Sequence, residues 1–260
     1  FKGGSLSIRP AQREGVAFMN HRGTGIVAYD VGVGKTMTAI LGISDGFEKG
    51  LFKRPLVVVP QKVYHKWIAE IIGVKAKKSI KRKGKVIAKA GDIIAEGILP
   101  HVQINDYDNL GVNFIARATD ENGIAKTVAE YSVTMVTYEG LMKIGFNPDT
   151  EKDLANRIKT MLSQGESGRA AAIIEQKAEE WVDAALAETE LDIEEMGIDA
   201  IIVDETHNFR NLFMEVKGDV GEDGERESKH FFSGGSGKPS SRALKLFMLN
   251  AYVHDNNKQR

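Results

Sequence analysis

Apolar positions in this chain fall into short β-branched runs separated by stretches of helical period. Residues 55–60 (Pro-Leu-Val-Val-Val-Pro), 133–137 (Val-Thr-Met-Val-Thr) and 199–203 (Asp-Ala-Ile-Ile-Val) each read as a buried strand. Shorter strands are expected at 25–28, 86–90 and 112–116. Helices are expected at 8–19, with Pro10 in the first turn and Val16, Ala17 and Met19 facing the core, and at 37–44. The stretch 62–72 is amphipathic, with Val63, Trp67, Ile68 and Ile71 at helical spacing. Strands alternating with helices predict an α/β fold: a doubly wound, mainly parallel sheet with right-handed crossovers.

Two stretches interrupt this rhythm. Residues 146–196 form a long polar block rich in alanine, glutamate and lysine, expected to be a helical insertion within the lobe. Ile174, Ala178, Trp181 and Ala185 give it a thin apolar stripe. It reads as a spacer or as an arm that contacts a partner. Residues 218–241 are rich in Gly, Ser and charge and are expected to be a mobile loop. No internal repeat is visible.

The chemistry concentrates in Ala28-Tyr-Asp-Val-Gly-Val-Gly-Lys-Thr36. An apolar run, a glycine turn, a lysine, a hydroxyl and a helix are the parts of a phosphate-binding loop. Glycines let backbone N–H groups of Gly32, Val33, Gly34 and Met37 curl toward an anion, and the helix N-terminus adds partial positive charge. Lys35 can reach the β- and γ-phosphates, and Thr36 can ligand Mg²⁺. The strict Gly-x-x-x-x-Gly-Lys-Thr pattern asks for glycine where this chain has Tyr29. A second motif, Ile198-Asp-Ala-Ile-Ile-Val-Asp-Glu-Thr-His207, is a strand ending in two carboxylates. At the carboxyl end of a parallel strand, Asp204 can hold Mg²⁺ and Glu205 can activate a water.

Composition narrows the choice. At 260 residues the chain fits one large α/β lobe. It has no cysteine, which excludes disulfides, thiol catalysis and cysteine-ligated zinc. No secretory signal and no membrane-length apolar run is visible, so a cytoplasmic location is expected. The first residue is Phe1, so a piece of a longer protein is expected. Net charge is −1, yet Lys75-Ala-Lys-Lys-Ser-Ile-Lys-Arg-Lys-Gly-Lys85 is strongly basic, and an acidic stretch runs through 175–195. The basic run reads either as a solvated loop or as a phosphate-backbone contact.

Together these motifs resemble the first RecA-like lobe of superfamily-two helicases, most closely the Swi/Snf-type DNA translocases. Ile8-Arg-Pro-Ala-Gln12 with Gly15-Val16 resembles the adenine-reading motif, which implies roles for Arg9 and Gln12. In this family an acidic and a hydrophobic residue precede Gly-x-Gly-Lys-Thr, so Tyr29 fits. Residues 55–60 with Trp67 and Glu70, then Val136-Thr-Tyr-Glu-Gly-Leu141, resemble the next two motifs. Asp204-Glu-Thr-His207, followed by Asn208 and Arg210-Asn211, resembles the D-E-x-H box, with Thr206 where alanine is usual. The long block before Asp199 resembles that of large phage and mobile-element proteins joining such a motor to a methyltransferase region.

The resemblance implies an ATP-dependent translocase with Lys35, Asp204, Glu205 and His207 in catalysis and Thr36 and Asp204 at Mg²⁺. It implies duplex DNA as partner, with Gln61, Lys62, Tyr138 and Glu139 near the nucleic-acid track. A second lobe carrying an arginine finger is expected outside these residues, so the fragment alone is expected to hydrolyse ATP slowly. The alternatives are a hydrolytically silent nucleotide-binding scaffold and a small-molecule kinase. The glutamate beside Asp204 argues against the kinase.

Overall fold

Residues 7–82, 85–108, 114–164, 167–212, 216–220, 226–229 and 240–257 are described by a computed structural model. In chain order the first half contains α1 (Pro10–Arg22), α2 (Lys35–Glu48), β1 (Pro55–Val59), α3 (Tyr64–Ile72), β2 (Gly73–Lys75), β3 (Ile80–Arg82), β4 (Lys85–Ala88), β5 (Ile93–Glu96), β6 (Ile104–Tyr107) and α4 (Phe114–Ala118). The second half contains β7 (Val133–Thr137), α5 (Tyr138–Met142), β8 (Ile144–Gly145), α6 (Pro148–Ser163), α7 (Gly168–Leu186), β9 (Leu191–Asp192), α8 (Ile193–Met196), β10 (Ala200–Val203), β11 (Val216–Val220), β12 (Arg226–Lys229) and α9 (Ser241–Asn256).

The expected parallel sheet is present. Its order is β10-β1-β7-β6, and every pairing is parallel. β1 and β7 are buried at every position because each lies between two strands and under helices on both faces. Alternation along β1 sends Leu56 and Val58 to one face and Val57 and Val59 to the other. Val57 and Val59 meet Ile40 and Ile43 of α2 and Trp67 and Ile71 of α3. Leu56 and Val58 meet the cluster built from α5, α6, α7 and α9. Asp199, just before β10, accepts the backbone N–H groups of Lys53 and Arg54 at 2.7 Å each and so fixes the entry to β1.

Direction follows from the connections. Residues 49–54 join the end of α2 to the start of β1, so α2 runs antiparallel to the strands. Its N-terminus therefore points to the end where β1, β7 and β10 finish. α3 leaves that end and runs back, so β2 to β5 follow at the opposite end.

Three expectations are corrected. Residues 25–28 are not a strand; Ile26 is 72% exposed, and a run containing only two β-branched residues finds no sheet partner among the described residues. Residues 114–118 are helical, not extended, because Phe114 and Ala118 are buried at i, i+4 spacing, whereas 112 and 113 lie outside the described residues. The buried residues of α1 are Gln12 and Gly15, not Val16, Ala17 and Met19, since α1 packs closely on α2. Apart from these corrections, parts of 218–241 fall in strands β11 and β12, which pair antiparallel, and the rest of that segment lies outside the described residues except for 240 and 241. Within 146–196, α6 and α7 pack together, and Ile174, Ala178, Val182 and Ala185 are the buried stripe of α7, with Trp181 at its partly buried edge. Among the described residues, no helix is long and apolar enough to cross a membrane.

Candidate active site

Residues 23–34 connect α1 to α2 as an exposed loop. Gly34 has φ +97° and serves as N-cap of α2, and Gly32 has φ +86°. Both angles favour glycine. Gly34 also has a packing reason: a Cβ there would collide with Nε2 of Gln12. The first N–H groups of α2, from Lys35, Thr36 and Met37, are those a helix leaves without intrahelical partners. Lys35 folds back over its own loop, its Nζ donating to the carbonyl of Tyr29 at 2.9 Å.

α1 holds the loop from outside the sheet. Gln12 is buried; its Nε2 donates to the carbonyl of Val33 at 3.2 Å, and its Oε1 accepts the backbone N–H of Arg9 at 2.9 Å. The amide thus spans helix and loop while one N–H and one lone pair stay available. Arg9 itself is exposed. The hydroxyl of Tyr29 donates to the carbonyl of Ala11 in α1. Any side chain at Gly15 would strike that hydroxyl. Sequence inspection found Tyr29 outside the strict glycine pattern but within the family's; the structure makes it the strut between loop and α1. Its pairing with Gly15 carries no periodic signal.

The second half of the site grows from β10. Asp204 continues the ladder, its N–H donating to the carbonyl of Val58 at 2.9 Å. Trp67 of α3 donates its indole N–H to Asp204 Oδ2 at 2.9 Å. Tyr138 of α5 donates its hydroxyl to the Asp204 carbonyl at 2.7 Å. Glu205 then takes the left-handed conformation, φ 55° and ψ 51°, uncommon for a residue with a side chain. This turn lifts its carboxylate into solvent, where Oε2 lies 3.0 Å from Nδ1 of His207. Asn208 donates its side-chain N–H to the Glu205 carbonyl at 3.0 Å, and Arg210 donates from Nε to the His207 carbonyl at 2.6 Å. No hydrogen bond or ion pair among the described residues joins 24–36 to Asp204 or Glu205.

The four residues expected near nucleic acid divide. Lys62 is exposed and in no ion pair among the described residues, and Gln61 is partly exposed with its Nε2 on Asp108 Oδ1 at 3.1 Å. Glu139 is exposed and pairs with Arg242 at 3.4 Å. Tyr138 is only 6% exposed. Its ring stands edge-on to Phe209, centroids 5.0 Å apart, beneath the guanidinium of Arg242. With its ring buried and its hydroxyl on the Asp204 carbonyl, Tyr138 supports Asp204. Burial pushes its hydroxyl pKa up to about 12, keeping it a proton donor through the neutral range. Two supports of Asp204 and its neighbours were not assigned that task by sequence reading: Trp67 stood on an apolar helix face and within a family motif, and Arg242 was not singled out at all.

The donors suit Mg²⁺. The Thr36 hydroxyl and the Asp204 oxygen not bonded to Trp67 are hard oxygen ligands, and Mg²⁺ is ordinarily held by one or two such groups together with phosphate and water. Among the described residues no group of three His, Cys, Asp or Glu side chains forms a self-contained metal cage.

Comparison with known proteins gives the family. The SNF2-related domain matches residues 11–217. A curated protein of Escherichia phage P1, "Defense against restriction protein B", is 25% identical over 228 residues, covering 78% of this chain and 10% of its own length. A solved structure described as the Sulfolobus solfataricus SWI2/SNF2 ATPase core in complex with dsDNA aligns at 18% identity and TM-score 0.36, over 79% of this chain and 33% of its own. This chain thus spans about a tenth of the phage protein and a third of the solved one. With the glycine loop, the carboxylate turn and the parallel sheet in place, and with the family match covering 11–217, the chain belongs to the SNF2-related domain family.

Proposed function

We propose that this lobe binds Mg²⁺-ATP at the carboxyl end of its sheet and, joined to a second lobe, hydrolyses it to move along duplex DNA. The observation that carries the reading is the Asp204–Glu205 turn. One carboxylate is anchored by Trp67 and the next is turned outward, at the end of the sheet toward which the N-terminus of α2 also points.

Each group then has a task. The N–H groups opening α2 and the ammonium of Lys35 take the β- and γ-phosphates, Lys35 exchanging the Tyr29 carbonyl for a charged oxygen. Thr36 and Asp204 hold Mg²⁺, which when bound neutralises phosphate charge. Glu205 accepts the proton of the attacking water, and His207 orients the Glu205 carboxylate. Gln12, locked to Val33, brings its remaining donor and acceptor to the adenine edge and links base recognition to loop shape. Duplex DNA crosses the loops after β1 and β7, where Lys62 offers a phosphate contact and Gln61 and Glu139 line the path.

Titration calorimetry of Mg²⁺-ATP into the 260-residue chain tests the binding half. Lys35→Ala is expected to weaken affinity at least about tenfold, the equivalent of roughly 1.4 kcal/mol. Unchanged affinity in the variant contradicts the assignment.

A further inference from the structure

Residues 73–82 and 85–96 form a β-ribbon that the candidate site does not use. β2 pairs with β5 and β3 with β4, both antiparallel, and Ala76 N–H to Asp92 carbonyl at 2.9 Å extends the first ladder. The sequence 73–96 holds Lys75, Lys77, Lys78, Lys81, Arg82, Lys83, Lys85 and Lys89 against only Asp92 and Glu96, a charge of +6 in a chain whose net charge is −1. The ribbon is therefore the positive pole of an otherwise acidic lobe.

Those cations are unspent. Lys75, Lys77, Lys78, Lys81 and Lys89 are exposed and enter no ion pair among the described residues. Elsewhere Lys49, Lys53, Lys66, Lys143, Lys159 and Lys177 each lie within 4.0 Å of a carboxylate. The cross-strand partners are as informative. Lys75 faces Ile93 and Lys81 faces Val86, so each pair puts a bare cation and a bare apolar side chain on one face. Ile87 and Ile93 are each 61% exposed.

A two-stranded ribbon gains little from its own ladder in water. This one is fastened to α3: Ile98 N–H donates to the Glu70 carbonyl at 2.9 Å and Leu99 N–H to that of Ile71 at 2.7 Å. Gly73 and Gly97 let the two backbones meet there. α3 spans about 13 Å, so the ribbon lies roughly that far from the Gln61–Lys62 loop. Its occupant must present closely spaced anions to lysines on successive strands and accept flat apolar contact between them. A duplex offers a phosphate about every 1.7 Å along its axis, with sugar faces between.

We propose that this ribbon is a second duplex-DNA contact, with its lysines on backbone phosphates and Val86 and Ile93, the cross-strand partners of Lys81 and Lys75, against the sugars at the groove rim. The inference rests on the motor reading above and adds to it a contact outside the loops at the carboxyl end of the sheet. Fluorescence anisotropy of a 30-base-pair duplex with the 260-residue chain, repeated over a salt series, tests it. Changing Lys75, Lys77, Lys78 and Lys81 to Gln removes four positive charges. The slope of log affinity against log salt is expected to fall in magnitude by about 0.9 per lost contact, roughly 3 to 4 in all, with at least a tenfold loss of affinity near physiological salt. A control that changes Lys49, Lys143, Lys159 and Lys177 to Gln is expected to leave the slope near that of the parent. An unchanged slope in the ribbon variant, or an equal fall in the control, overturns the proposal. So does tighter binding to vesicles containing anionic lipid than to duplex, lost in the ribbon variant while DNA binding is kept. Intact ATP binding with an unchanged slope sinks the ribbon alone; lost ATP binding with the slope change present sinks the motor and leaves the ribbon.

Discussion

Trp67 and Tyr138 hold Asp204 from two sides, one on the side chain and one on the backbone, and neither bond is replaceable by burial alone. Tyr138→Phe keeps the ring packing on Phe209 and removes only the hydroxyl. Its expected cost is about 1 kcal/mol in a urea melt. Its larger expected effect is on turnover, because a loosened Asp204–Glu205 turn misplaces the water-activating carboxylate while the phosphate loop stays intact. Equal losses in ATP affinity and in turnover would place Tyr138 in general stability only. Lys245 shows the opposite economy. It is wholly buried on α9, with its Nζ donating to Thr189 Oγ1 at 2.8 Å. Burial brings its pKa down from 10.5 to about 8, with Glu151 and Glu188 pulling weakly the other way. The unfolded chain keeps this proton up to about 10.5 and the folded chain releases it near 8, so stability rises with pH between those values. Below pH 8 the charged, buried ammonium costs roughly 3 kcal/mol. Lys245→Met is expected to raise the unfolding free energy at pH 7 by about 1–3 kcal/mol and to flatten the rise between pH 8 and 10.5 relative to the parent. A destabilised variant with the same pH profile would show that Lys245 is not the titrating group.

At the scale of elements, the sheet was legible in sequence because β1 and β7 are buried on both faces and so read as unbroken apolar runs. α3 was legible from its period, though Tyr64 was not. Tyr64 is fully buried because its hydroxyl satisfies itself 2.8 Å from Asp106 Oδ1 and from the Met135 carbonyl, a long-range arrangement that no local pattern announces. α1 was found with the wrong face, since Gln12 and Gly15 are buried for what they touch in the loop and not for their hydropathy. The phosphate loop was legible as residues and misread as an entering strand, because the glycine and lysine spacing is local while strand pairing depends on distant partners. The two loop glycines separate conformation from packing. Gly32→Ala meets no atom within 4 Å and bears only the strain of its positive φ. Gly34→Ala bears a similar strain and also displaces Gln12. Calorimetry is expected to show the larger loss of ATP affinity for Gly34→Ala, and the reverse order would mean that the Gln12 contact does not shape the site.

Across the whole molecule, one end of the sheet gathers the loops after β1, β7 and β10 and the start of α2, and the other end bears the basic ribbon. The α6–α7 pair is held to the lobe by a continuous apolar cluster that includes Ile158, Val182 and Leu249. The central claim is that phosphate binding and water activation are separate duties of Lys35 and Glu205. The most direct measurement is Mg²⁺-ATP binding and DNA-dependent ATP hydrolysis by the protein, compared with its Glu205→Gln variant. The account predicts that the variant binds Mg²⁺-ATP as tightly as its parent and loses turnover by about 10²-fold or more. A Glu205→Gln variant that hydrolyses ATP at the parental rate contradicts it.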